Sequence, residues 1–200
     1  MCRALVARGI FLAQDRTDIQ FAVISFDPET GDLIRIVDNA AKAEVKGFEL
    51  DVVAVPAPGL TLTASIGLTD AQYTETDPTS PVTTDSRFVK TPKWTVALSG
   101  QYAAPVGNWG ELIGRLDYVY KTNIYHEVSN SPISLQDDYG LLNARLTFEV
   151  ASGNWAVSVF ATNLTDERYI LGTGDAAGIG FAEVQYASPR EWGASLKYNF

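Results

Sequence analysis

The 200-residue sequence contains one cysteine, Cys2, and one histidine, His126. A single cysteine permits no internal disulfide and no cysteine-rich metal site. Basic side chains are also scarce, since 15 Lys and Arg against 24 Asp and Glu leave a net charge of -9 at pH 7. That is the wrong sign for a chain that binds by neutralising phosphates, so nucleic acid is excluded as a partner class. No apolar run approaches the roughly 18 residues that a membrane helix needs. With 46% hydrophobic and 20% charged residues, the chain is neither a disordered acidic tail nor a fibrous repeat. Its length suits one domain, and a mean hydropathy of -0.01 gives the outward look of an acidic soluble one. Arg8 interrupts what would have to be the apolar centre of a signal peptide between Met1 and Ala13. The plainer readings are an ordinary exposed first segment or a chain that starts inside a domain.

What the sequence does hold is period-two alternation. Leu60, Leu62, Ala64, Ile66 and Leu68 fall on one face, with Thr61, Thr63, Ser65, Gly67 and Thr69 on the other. Trp94 to Tyr102, Leu142 to Val150 and Trp192 to Phe200 repeat the pattern, which is that of strands and not of helices. The alternation predicts eight strands at 12–26, 41–55, 60–74, 92–104, 111–123, 138–150, 155–164 and 187–200. Most exceed the usual five or six residues and match the roughly 9–11 that a tilted strand needs to cross a bilayer. Tight turns at Pro56-Ala57-Pro58-Gly59, around Val106-Gly107-Asn108 and at Ala151-Ser152-Gly153-Asn154 alternate with long polar loops at 27–40, 75–91, 124–137 and 165–186. Gly172, Gly174, Gly178 and Gly180 make the last loop read as too flexible for a regular element. Short turns at one end and long loops at the other are the plan of an antiparallel transmembrane β-barrel. Trp94, Tyr102, Trp155, Trp192, Tyr198 and Phe200 sit near strand ends, where interfacial aromatic girdles form. Arg115, Asp117 and Lys121 share the polar face and are placed to pair within a lumen. The competing account is a soluble sandwich with solvated polar faces.

Five short motifs point further. They are Asp18-Ile19-Gln20 leading to Asp27-Pro28-Glu29-Thr30-Gly31, Asn39 to Ala43 followed by Lys46-Gly47-Phe48-Glu49-Leu50, and Thr91-Pro92-Lys93-Trp94. The others are Asn163-Leu164-Thr165-Asp166-Glu167-Arg168-Tyr169, and Pro189-Arg190-Glu191-Trp192-Gly193 running on to Phe200. In this order and spacing, residues 17–200 resemble the C-terminal barrel portion of a TonB-dependent outer-membrane receptor, of the siderophore-receptor kind. Residues 1–16 stand apart as an N-terminal segment without an assigned role.

The resemblance implies a place in the outer membrane of a Gram-negative bacterium, within a barrel of about 22 strands whose plug domain and TonB-contacting box lie outside this sequence. It implies energy-coupled uptake of a scarce nutrient, most often a ferric siderophore. The implied partners are outer-membrane lipid, the TonB complex through the missing N-terminal region, and the barrel assembly machinery, which would read Trp192, Leu196, Tyr198 and Phe200 as a terminal signal by strand addition. Family substrates meet the outer loops and upper lumen wall, which makes Arg87, Tyr125, His126, Arg168 and Tyr169 the ligand-binding candidates. Cations and aromatic rings suit an anionic iron chelate. For Arg168 and Tyr169 the competing role is structural, in shaping the barrel rim.

Catalysis is not expected. His126 falls in a predicted loop far in sequence from Cys2, and nothing ties it to a serine and a carboxylate. Glu49 with Asp51 and Asp137 with Asp138 read as wall and loop charge, and the glycines at 172–180 form no phosphate loop, so no cofactor or metal is expected. The alternatives are a self-contained eight-stranded outer-membrane barrel serving as anchor or small pore, and a secreted β-sandwich binding module.

Overall fold

Alternating sequences commit a backbone to extended strands, and the computed structural model, which describes residues 4–26, 29–78, 80, 82–176 and 181–200, is almost wholly strand and turn. In chain order the strands are β1 (Ala4–Phe26), β2 (Leu33–Ala57), β3 (Leu60–Thr76), β4 (Trp94–Val106), β5 (Gly110–Lys121), β6 (Ile124–Tyr125), β7 (Leu135–Gln136), β8 (Tyr139–Val150), β9 (Trp155–Thr162), β10 (Ile170–Ala176), β11 (Phe181–Tyr186) and β12 (Glu191–Tyr198). One 3-10 turn, η1 (Pro132–Ser134), precedes β7. Eight strands form one antiparallel sheet in the order β1-β2-β3-β4-β5-β8-β9-β12. These are the eight expected strands, in one up-and-down sheet instead of the two packed sheets of a sandwich. Among the described residues β1 and β12 each pair on one side only. Among the described residues no helix is long and apolar enough to cross a membrane, which says nothing of strands.

Turns of two to four residues join β2 to β3, β4 to β5 and β8 to β9, as expected. Gly59 shows why one must be glycine, since it has φ 77° and a Cβ there would strike the Ala103 carbonyl. The long connections differ in part from expectation. Residues 33–40 are strand, not loop, because Leu33 to Val37 find register partners in Phe26 to Ala22. β1 starts at Ala4, eight residues early, with Arg8 in register with Asp51. The last loop is also more regular than its glycines suggest. Gly174 pairs with Glu183 and Thr173 with Val184 in a β10–β11 hairpin, so a partner strand supplies the order that glycine withholds locally. Gly178 and Gly180 lie outside the described residues, as do Cys2, Asp27 and Pro28.

Register sorts the side chains into two faces. One row crosses all eight strands as Leu5, Ala54, Leu62, Gly100, Leu116, Ala144, Ala161 and Trp192. Every member is apolar, yet Leu62, Leu116 and Trp192 are 42, 54 and 74% exposed. The adjoining row, Val53, Thr63, Ser99, Asp117 and Asn143, is mostly polar. An apolar face this extensive is stable only against lipid or another apolar surface. Aromatics bound it at both ends. Trp155 lies 4.4 Å from Tyr198 and Tyr198 5.4 Å from Phe200 at the short-turn end, while at the long-loop end Phe11 is tilted against Phe48 at 6.3 Å and Phe48 meets Trp94 edge to face at 5.8 Å. From Trp94 to Tyr102 is about 27 Å along β4, or about 20 Å in height at a barrel strand's usual tilt.

The soluble-domain look of the composition is thereby overturned. Among the described residues the buried hydrophobic cluster comprises Ala41, Ala43, Tyr73 and Val82, with Ile19, Phe21, Phe88 and Val128 packed against it. It lies above the apolar band, where the loop between β3 and β4 folds onto the tall upper ends of β1, β2 and β3.

Candidate functional site

Two regions carry polar chemistry, the inward wall and the cap of long loops above it. On the wall, Arg115 grips Asp117 with Nε at 2.9 Å and Nη2 at 2.7 Å, and Ser99 is opposite Asp117 on β4. The expected pairing therefore forms, without Lys121, which stands higher on the same face opposite Tyr139. Ser65 donates to Asp51 at 2.6 Å, and Thr147 meets Ser158 at 2.8 Å. Arg145 faces Arg115 directly across the β5–β8 ladder. Like charges so placed repel, and the wall separates them by giving each its own partner. Arg115 takes Asp117, while Arg145 lies 4.9 Å over the Phe160 ring. That ring covers Gly193, where a Cβ would collide with it.

The cap is built from three loops. In the first, Arg87 donates from Nη2 to the Asn123 carbonyl at 2.8 Å and lies 5.6 Å over the Tyr125 ring. Its backbone N–H donates to Asn130 Oδ1 at 2.6 Å, and Asn130 Nδ2 returns a bond to the Arg87 carbonyl at 3.1 Å. Lys90 N–H donates to the Tyr125 carbonyl at 2.8 Å, beside a parallel bridge between Val89 and Tyr125. The middle loop meets the third where Gln136 Oε1 accepts from the Ile170 N–H. Tyr139 stacks on Tyr169 at 4.5 Å, and Arg168 lies 3.9 Å over Tyr186. Asn163 organises the base of the third loop. Its Oδ1 accepts from Glu167 N–H at 2.8 Å while Nδ2 donates to the Glu167 carbonyl at 2.8 Å and the Ser188 carbonyl at 3.4 Å.

All five ligand-binding candidates fall in this cap, with unequal freedom. Arg87 and Tyr125 are half-buried and spent on each other and on the loop backbone. His126 is buried, and its ring makes no hydrogen bond. Burial, followed by the nearby positive charge of Lys90, pushes its pKa below the ordinary 6.5. Tyr169 is half-buried, and Arg168 is exposed. Arg168 and Tyr186 border a cleft of about 340 Å³ with Asp137, Asp138 and Glu167, so a ligand anion would meet Arg168 alone among carboxylates. Asn130, Asn163 and Tyr186 were not legible as loop organisers. Asn130 and Asn163 have φ of 50° and 48°, a conformation that asparagine tolerates but that its letter in a sequence only hints at.

The terminal-signal residues are arranged as alternation implies. Trp192, Leu196 and Tyr198 lie on the outward apolar face, and Phe200 follows just beyond β12 against Tyr198. An open strand-and-loop wall, apolar outside, polar inside, girdled by aromatics and capped by long loops, defines a segment of outer-membrane β-barrel.

A family model for the TonB dependent receptor-like beta-barrel matches residues 13–164, and the chain belongs to that family of Gram-negative outer-membrane proteins. Among solved structures it is similar to the ferric yersiniabactin uptake receptor FyuA from Yersinia pestis, with 20% identity over 99% of this chain and 28% of that one, at a TM-score of 0.80. The ferripyoverdine receptor of the outer membrane of Pseudomonas aeruginosa gives 18% identity over 98% of this chain and 25% of that one, at 0.67. The ferric-catecholate import receptor Fiu from K12 E. coli gives 16% over 98% and 25%, at 0.70. The chain thus spans about a quarter of the length of the structures it matches.

Proposed function

We propose that this chain forms the C-terminal wall and part of the outer cap of a TonB-dependent receptor that imports a scarce nutrient, a ferric siderophore, with energy delivered by the TonB complex through an N-terminal region. The observation that carries this reading is the family match over 13–164 on a sheet whose apolar row crosses every strand. In this reading residues 17–200 are barrel and residues 4–16 extend its first strand, the outward terminal row of Trp192, Leu196, Tyr198 and Phe200 is presented to the barrel assembly machinery, and lipid covers the apolar band. Arg168 is the foremost ligand contact, because it is exposed at the cleft, and Tyr169 follows it in the chain. Arg87, Tyr125 and His126 support the same cap from within.

The test is uptake of radiolabelled iron from individual ferric siderophores by iron-starved cells with and without the gene, in tonB-intact and tonB-deleted backgrounds. One chelate is expected to lose uptake in both mutants. Unchanged uptake across a broad chelate panel would overturn the siderophore assignment. For that chelate, Arg168→Ala is expected to weaken binding about tenfold, the worth of one charge-assisted contact.

A further inference from the structure

His126 stands where the three cap loops meet. The preceding residue, Tyr125, holds the first loop through the Lys90 N–H and the Val89 bridge. The N–H of His126 donates to the Ser134 carbonyl at 2.8 Å, closing the middle loop on itself around η1. Gln136, two residues beyond Ser134, receives the Ile170 N–H from the third loop. The imidazole lies inside this junction at 8% exposure, with neither Nδ1 nor Nε2 in a hydrogen bond. A neutral ring tolerates such a site at modest cost. An imidazolium does not, because both its N–H groups then need acceptors.

The charged groups acting on the ring are Lys90 from the first loop, which opposes protonation, and Glu127 beside it, which favours it. Glu127 is itself drawn toward the third loop, where its Oε1 accepts from the Thr173 hydroxyl at 3.5 Å. From β10 the neighbour is the Ile170 carbonyl, close enough to favour the charged ring slightly but outside hydrogen-bond geometry. η1 contributes Ser134 and no charge.

We propose that His126 is an acid-sensitive latch, neutral and buried when the three loops are docked together, and protonated and solvated when they part. Its sign follows from linkage. The parted state binds the proton more readily, so docking is at full strength above the ordinary histidine pKa of 6.5 and weakens as pH falls below it, down to the lower pKa of the docked state. The latch concerns loop opening and does not depend on which ligand the receptor carries.

The test is hydrogen–deuterium exchange on the full receptor in outer-membrane vesicles from pH 8 to 5, corrected for intrinsic exchange and read on peptides covering 82–93, 122–136 and 164–174. The three segments are expected to lose protection together below pH 6.5, while peptides from β4 and β5 stay unchanged. His126→Phe is expected to hold the loops protected throughout. Exchange at the His126 C2 position, read on its own peptide, gives the titration midpoint in the unaltered protein and so decides the matter even where the variant fails to fold. A midpoint at or above 6.5, protection independent of pH, or an unchanged acid response in His126→Phe overturns the latch.

Discussion

The two faces of the sheet make unequal demands on a charge, and Leu98 is the position that measures the difference. It lies midway on the outward face of β4 between Trp94 and Tyr102, is 44% exposed, and is in register with Ala64 and Tyr118. If that face meets hydrocarbon, Leu98→Arg places a guanidinium near the bilayer midplane at a cost of about 2–4 kcal/mol. Val106→Arg, past the Tyr102 girdle on the same face, costs about 0–1 kcal/mol. Thr63→Arg, exposed on the inward face, changes stability by less than about 0.5 kcal/mol. The assay is guanidinium unfolding of the full receptor reconstituted in phosphatidylcholine vesicles, followed by loss of heat-modifiable gel migration. A 3 kcal/mol loss moves the folding equilibrium more than a hundredfold, well separated from the two controls. Equal costs at positions 98 and 63, or a larger cost at 63, would refute the assignment of the faces.

Other perturbations have equally definite outcomes. Asn163→Ala removes three side-chain bonds from the base of the third loop and is expected to cost about 1–3 kcal/mol locally, seen as faster proteolysis within 163–190 with the sheet intact. Gly193→Val forces the Phe160 ring off its seat and with it the Arg145 contact, at about 1–3 kcal/mol in the same unfolding assay. Asp117→Ala leaves Arg115 without its carboxylate opposite Arg145. Because the pair is half-exposed in a wet lumen, the loss is expected to stay under about 1 kcal/mol and to shrink further in high salt.

The sheet was legible because its physics is local in sequence. Period two, tight Gly-containing turns and aromatic strand ends each report directly on a residue's own strand, so the eight long strands could be read from the letters, although β1 and β2 each start eight residues before the alternation shows them. The cap was not legible for the opposite reason. Arg87 meets Asn130 and Asn123, Gln136 meets Ile170, and Arg168 meets Tyr186 through contacts far apart in the chain, and no periodicity announces them. The β10–β11 hairpin makes the same point, since Gly172 and Gly174 read as disorder until Phe181–Tyr186 supplies the facing strand. Candidate residues chosen by chemistry alone fall together in the loop cap. Their freedom to meet a ligand was set by those distant partners, which is why Arg87 is half-buried on the Asn123 carbonyl while Arg168, over Tyr186, stays exposed.

The central claim, that this chain is a stretch of outer-membrane barrel wall with lipid on one side and a lumen on the other, is tested most directly by cysteine scanning along β5 in intact outer membranes. Single cysteines at 112, 114, 116 and 118 are predicted to react with a lipid-soluble maleimide and resist a water-soluble one, while 113, 115, 117 and 119 do the reverse. Uniform labelling by the water-soluble reagent, or alternation of opposite phase, would contradict the account.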